Sequence, residues 1–184
     1  MKKKIWIPIS LLLAAVLAFL LIRGVSIQSV DEYYQSHPQE IPAQSETVTL
    51  SIRCDTIFDN YDLLDPTLRS KEYLPSDGVI LPETRFVLEE GDTVFSVLSR
   101  AVRQEKIQME YTGIDSSPTG MVYIQGIHYL YEFSCGPLSG WMYRVNGEFP
   151  NQGCSDYPVQ NGDRIEWVYT CDLGHDVGND FEEP

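Results

Sequence analysis

Residues 91–106 read GDTVFSVLSRAVRQEK, and this stretch decides the fold. Val94, Val97, Leu98 and Ala101 recur at i, i+3, i+4 and i+7, the spacing of one helical face, and Asp92 or Thr93 just ahead has the side chain of an N-cap. The spacing predicts a helix of about three turns. On both sides of it the period is two. Upstream, TVTLSIRC (47–54) alternates Val48, Leu50 and Ile52 with polar residues. VIL (79–81) and RFVLEE (85–90) read as two short strands around Pro82. Downstream come IQMEYT (107–112), MVYIQGI (121–127), GWMYRVNGEFP (140–150) and RIEWVYTC (164–171), with a hairpin signal at Asn146-Gly147. Residues 55–78 and 113–120 are rich in Asp, Ser, Pro and Gly and read as loops.

One helix among many strands predicts an α+β domain, a mixed sheet with one face covered by the helix. A β-grasp-like arrangement satisfies the order: the first and last strands run parallel at the sheet centre and the helix crosses over them. That arrangement sets Cys54 and Cys171 at the same ends of neighbouring strands, within bridging distance, and leaves Cys135 to pair with Cys154.

Residues 5–22, IWIPISLLLAAVLAFLLI, carry no charge and follow Lys2, Lys3 and Lys4. A helix of this run spans roughly 27 Å, enough to cross the hydrocarbon core of a bilayer. Phe19 to Ile22 extend the apolar run past the small residues Ala14, Ala15 and Ala18, which fits a retained signal anchor better than a cleaved signal peptide. The lysines hold the N-terminus in the cytoplasm, so the body is expected on the extracellular side of the cell membrane. The expected organisation is an anchor over 1–23, a polar stalk over 24–46, a domain over 47–172 and an acidic tail over 173–184 that carries little apolar mass and is expected to be mobile. Four cysteines, all in the exported part, then predict two disulfides, because such bonds persist outside the cell.

The formal net charge is -14, and all 27 acidic residues follow Arg23 while only nine of the 13 basic ones do. Nucleic acid needs clustered Lys and Arg, so it is not an expected partner. No G-x-S-x-G, P-loop or G-x-G-x-x-G occurs, and Glu89 and Glu90 point to opposite faces if extended, so no enzyme is expected. The acidic runs Asp55, Asp59, Asp62, Asp65 and Asp172, Asp176, Asp180 lack a calcium-loop pattern, and His37, His128 and His175 have no ligand spacing with the cysteines. No metal is expected.

GDTVFSVL (91–98), VYIQGI (122–127), GWMYRVNG (140–147) and DYPVQNGDRIEWVYT (156–170), in that order, resemble the bacterial domain family of unknown function called DUF4430, which is grouped with the C-terminal β-domain of transcobalamin and intrinsic factor. The resemblance covers about residues 47–172. It implies a β-grasp-like fold and, from the vitamin carriers, a small domain that closes over one face of a corrin ring with apolar side chains and backbone polar groups. Gln125-Gly126 matches a similar strand ending in those carriers.

Aromatic residues crowd the last third: Tyr123, Tyr129, Tyr131, Phe133, Trp141, Tyr143, Phe149, Tyr157, Trp167 and Tyr169. Trp141 and Tyr143 share one side of their strand and Trp167 and Tyr169 one side of theirs, so one pair is expected under the helix and the other exposed. Tyr123, Gly126, Trp141, Tyr143, Asn146 and Gly147 are the expected ligand-binding residues. The expected function is a membrane-anchored, non-catalytic binding module for a cobalamin-like corrinoid or another small amphipathic ligand. The alternative is a structural domain that contacts another cell-envelope protein.

Overall fold

The computed structural model describes residues 29, 41–42, 44–113 and 121–179. Contacts divide the chain into Met1–Tyr33 and Tyr34–Pro184, and every element below lies in the second unit. The anchor over 1–23, nearly all of the stalk and residues 180–184 lie outside the described residues. Among the described residues no helix is long and apolar enough to cross a membrane.

The fold is α+β with two sheets and a single α-helix among the described residues. Seven strands are present among the described residues: β1 Thr47–Arg53, β2 Val79–Val87, β3 Met109–Thr112, β4 Tyr123–Ile127, β5 Leu130–Tyr131, β6 Gly140–Val145 and β7 Arg164–Thr170. The helix α1 is Val94–Gln104. The main sheet has the order β2-β1-β7-β6, with β1 and β7 parallel at its centre and antiparallel partners outside. The strands β3, β4 and β5 form a second, antiparallel sheet, where the sequence reading expected one.

Register explains where the core sits. Leu50 lies level with Ile165 and Ile52 with Trp167 across the parallel pair. Trp141 lies opposite Tyr169, and Tyr143 opposite Trp167, across the antiparallel pair. Side chains alternate along a strand, so all seven project from one face. The expectation that one aromatic pair is covered and the other exposed is therefore corrected: both pairs share the covered face. Trp141 stacks edge-on against Tyr169 at 5.2 Å, and Tyr143 packs on Trp167 at 5.5 Å. The second sheet is tied to this face by Trp141 Nε1 donating to Leu130 O (2.7 Å) and Tyr169 Oη donating to Tyr131 O (2.6 Å). The opposite face is polar: Glu166 takes both Arg144 Nε and Arg144 Nη2 at 3.0 Å and Arg164 Nη2 at 2.8 Å.

Thr93 caps α1 through a reciprocal pair: its hydroxyl accepts from Ser96 N, and Ser96 Oγ accepts from Thr93 N. Val94, Val97, Leu98 and Ala101 are fully buried, as their spacing predicts. Pro82 does not split β2. Leu50 pairs with Thr84 and Ile52 with Leu81, so β2 carries an extra residue there, and as an edge strand it tolerates the missing N–H.

Three expectations on loops are corrected. Residues 55–78 contain 3₁₀ turns at Asp55–Phe58, Tyr61–Leu63 and Pro66–Leu68, and they bury Ile57, Leu64 and Leu74. Asn146-Gly147 is a tight turn, with φ of 54° and 89°, but β6 continues into no strand after it. Only Val145 and Glu148 pair across the turn, because Pro150 soon removes a donor and β7 already occupies the partner position. Residues 171–179 are not a loose tail either: Asp176 accepts from Cys171 N (2.7 Å) and from the Thr170 hydroxyl, Leu173 N donates to Leu138 O (3.0 Å), and Asn179 is buried.

Candidate functional site

A groove of about 380 Å³ opens beside the start of β6, the outer strand of the main sheet. Gly140, Trp141 and Met142 of β6 form its floor with Thr170 at the end of β7. Tyr123 of β4 stands on one side. Phe133, Pro137, Leu138 and Ser139 from the loop before β6, and Leu173 from the segment after β7, complete the walls.

That loop is fixed by its own polar groups. Tyr131 N donates to Ser134 Oγ (3.1 Å) and Phe133 N to Ser139 O (3.0 Å). Ser139 Oγ accepts from Cys135 N and Tyr169 Oη, each at 3.0 Å, and donates to Gly136 O at 2.9 Å. Buried hydroxyls and amides are thus consumed inside the loop, and its apolar side chains are left facing out. Phe133 is 63% exposed, Leu173 58% and Leu138 42%. Phe133 and Leu173 also hold φ of 66° and 49°, the left-handed region that bulky side chains avoid. Such strain persists only where surroundings over-determine it, and it concentrates at binding sites.

Tyr123 Oη donates to Glu132 Oε2 at 2.7 Å at the edge of the groove. Burial, then the bond to Glu132 and its charge, push the Tyr123 phenol up to about 12. The groove therefore combines apolar walls with one neutral phenol and one carboxylate at its rim, a composition that holds small amphipathic molecules.

The structure brings together two of the six expected ligand residues, Tyr123 and Trp141. Trp141 is only 9% exposed, so it is a core residue with one edge in the groove. Tyr143 sits further along β6, between Trp167 and Tyr157, and its hydroxyl donates to Gln152 O (2.7 Å). Gly126 lies under the Tyr131 ring, where a Cβ would come within 2.6 Å of a ring carbon; its role is to admit that ring. Asn146 and Gly147 sit at the far end of β6, about 17 Å from Trp141 at the usual strand rise. The Asn146 side chain is committed to the neighbouring turn: Nδ2 donates to Asp163 Oδ1 (2.8 Å) and Oδ1 accepts from Arg164 N (2.9 Å). Phe133, Leu138 and Leu173 were missed. Their signal was isolated apolar residues among Ser, Gly, Pro and Asp, in stretches without a period.

The expected disulfide pairs are not the pairs that meet. All four thiols are free and buried. Burial, with the carboxylates of Asp55 and Asp77, pushes the Cys54 thiol up to about 12, and burial pushes Cys154 up to about 11. Cys154 Sγ faces Val122 O. Cys171 and Cys135 are near neighbours, each perturbing the other's thiol. The parallel register explains the mismatch: Arg53 lies level with Val168, so Cys54 lies level with Tyr169, and Cys171 is two residues further on. Among the described residues no three His, Cys, Asp or Glu side chains converge in a way that could hold a metal ion.

Two solved structures show the range of likeness. A crystal structure from Ruminococcus gnavus ATCC 29149, described as a candidate metal-binding protein, gives a TM-score of 0.39 at 14% identity, covering 68% of this chain and 96% of that one. Haptocorrin in complex with Cbi gives 0.42 at 18% identity, covering 75% of this chain but only 28% of haptocorrin. No curated protein matches the chain. Residues 91–171, which run from the helix cap to the end of the last strand and contain every groove residue but Leu173, match the family described as Domain of unknown function (DUF4430).

Proposed function

We propose that the chain is a membrane-anchored, extracellular, non-catalytic binding module, and that the groove beside β6 holds one apolar face of a small amphipathic ligand. A corrinoid is the example that the resemblance to the vitamin carriers implies. The observation that carries the reading is the pair Phe133 and Leu173. Both are large, apolar and exposed, both are held in left-handed backbone, and both stand on the same groove. Tyr129 shares both features away from the groove, so it is the convergence of Phe133 and Leu173 on one groove that supports the reading. The anchored, exported placement rests on Lys2 to Lys4 and the apolar run 5–22. The β-grasp-like reading of the fold is supported by the central parallel pair β1 and β7 with α1 between them in the chain.

The test is titration of the full chain, in detergent, with cobinamide. Binding is read from the visible absorption of the corrinoid, from quenching of tryptophan fluorescence and from the melting temperature. At 100 times its Kd, a bound ligand adds about 2.7 kcal/mol of stability. A corrinoid that changes none of the three readouts at millimolar concentration removes it as the ligand. Retained binding in a Phe133→Ser, Leu173→Ser double variant moves the site away from this groove.

A further inference from the structure

We propose that Cys135 and Cys171 form a disulfide that ties the loop before β6 to the segment after β7, while Cys54 and Cys154 remain thiols. Four contacts bring the segments that carry the two sulfurs together. Cys135 Sγ lies 3.4 Å from Asn60 O, and Cys171 Sγ lies 4.0 Å from Thr56 Oγ1. Thr56 and Asn60 are one turn apart and are themselves joined, Asn60 Nδ2 donating to Thr56 O at 3.0 Å. Leu173 N donates to Leu138 O at 3.0 Å, which closes the backbone of the two segments on the same side. The two thiols are also near enough for each to perturb the other. The other two sulfurs have other surroundings. Cys154 Sγ lies 3.7 Å from Val122 O, and the Cys54 thiol is buried beside the carboxylates of Asp55 and Asp77.

The chemistry balances as thiol–disulfide exchange. The Cys135 thiolate attacks one sulfur of a small-molecule disulfide, or of a disulfide-bearing oxidoreductase, and expels one thiolate. The Cys171 thiolate then attacks the Cys135 sulfur of the mixed disulfide and expels the second. The protein loses two protons and two electrons, and the oxidant leaves as two thiols. Burial pushes both thiols up, so exchange is slow in the folded protein and the bond forms while the chain folds. The proposal uses the exported, oxidising location argued above.

The test uses the full chain, unfolded with reductant and refolded in detergent with reduced and oxidised glutathione. It is then alkylated in denaturant and digested without reduction. The expected product is about 2 Da lighter than the reduced chain before alkylation, links the peptides of Cys135 and Cys171, and carries alkyl groups on Cys54 and Cys154. The Cys54→Ser, Cys154→Ser double variant should show the same loss. The oxidised protein should melt about 5 °C or more above the reduced protein. A link from Cys54 to Cys171 or from Cys135 to Cys154, or four alkylated cysteines after refolding, overturns the proposal.

Discussion

Phe133 and Trp141 stand on the same groove and make opposite demands on the fold. Phe133 contributes little to packing, being 63% exposed, and holds a left-handed φ that costs about 1–2 kcal/mol for a residue with a Cβ. Glycine adopts that φ freely, but it also enlarges the unfolded ensemble by roughly 0.5–1 kcal/mol. Phe133→Gly is therefore expected to leave folding stability unchanged or raise it by up to about 1 kcal/mol, while cobinamide affinity falls at least about tenfold. Urea unfolding and absorption titration of the same sample read both. Trp141 is the reverse case. It stacks on Tyr169, donates to Leu130 O and joins the two sheets. Trp141→Ala is expected to cost about 3–5 kcal/mol, seen as a fall in the urea midpoint at unchanged slope. A cost under about 1 kcal/mol would mean that the sheets are not joined through this ring.

At the scale of elements, the attachment of α1 rests on more than its apolar stripe. Asp92, just before the cap, is buried and accepts from Arg100 Nη1 (2.7 Å) and Nη2 (2.6 Å), Ser96 Oγ (2.7 Å) and Glu89 N (2.8 Å). Arg100 also donates to Val87 O at the end of β2, and Glu89 lies 3.4 Å from it. Burial alone would raise the Asp92 carboxyl, but the bonds from Arg100, Glu89 N and Ser96 outweigh it and hold the group below its ordinary value. A depressed folded pKa contributes stability above the unfolded value of about 3.9 and loses it as pH falls through the folded value. Wild type should therefore lose more stability between about pH 5 and pH 2.5 than Asp92→Asn does. That variant should cost about 3–5 kcal/mol at neutral pH, because it leaves Arg100 buried beside a neutral amide. Parallel pH curves for the two would assign the acid sensitivity to other carboxylates. The stripe Val94, Val97, Leu98 and Ala101 was legible because helical period is local. The Asp92–Arg100 pair was not, because nothing in the sequence says that the one arginine between Leu98 and Ala101 turns inward to a carboxylate eight residues earlier.

For the whole molecule, what could be read and what could not divide along the same line. Alternation in TVTLSIRC and RIEWVYTC gave the strands, and the helix between them gave their parallel pairing. Register was not legible, and it decides both the shared aromatic face and which cysteines meet. Within the site, Tyr123 and Trp141 were legible as strand aromatics, whereas Phe133, Leu138 and Leu173 depend on loop geometry that only tertiary contacts fix. Charge and the N-terminal run are legible without any fold. A body with 27 acidic and nine basic residues is repelled by anionic headgroups, so the proposed membrane attachment would rest on residues 5–22 and not on the domain surface. High salt should therefore leave the protein in the membrane fraction and detergent should release it. Protease added to intact cells should digest the body. Mass spectrometry of the released protein should find residues 1–22 attached, since Phe19 to Ile22 carry the apolar run past Ala14, Ala15 and Ala18. Protein released by salt, or a soluble form that begins near residue 20, would replace the anchored module by a secreted one with the same groove.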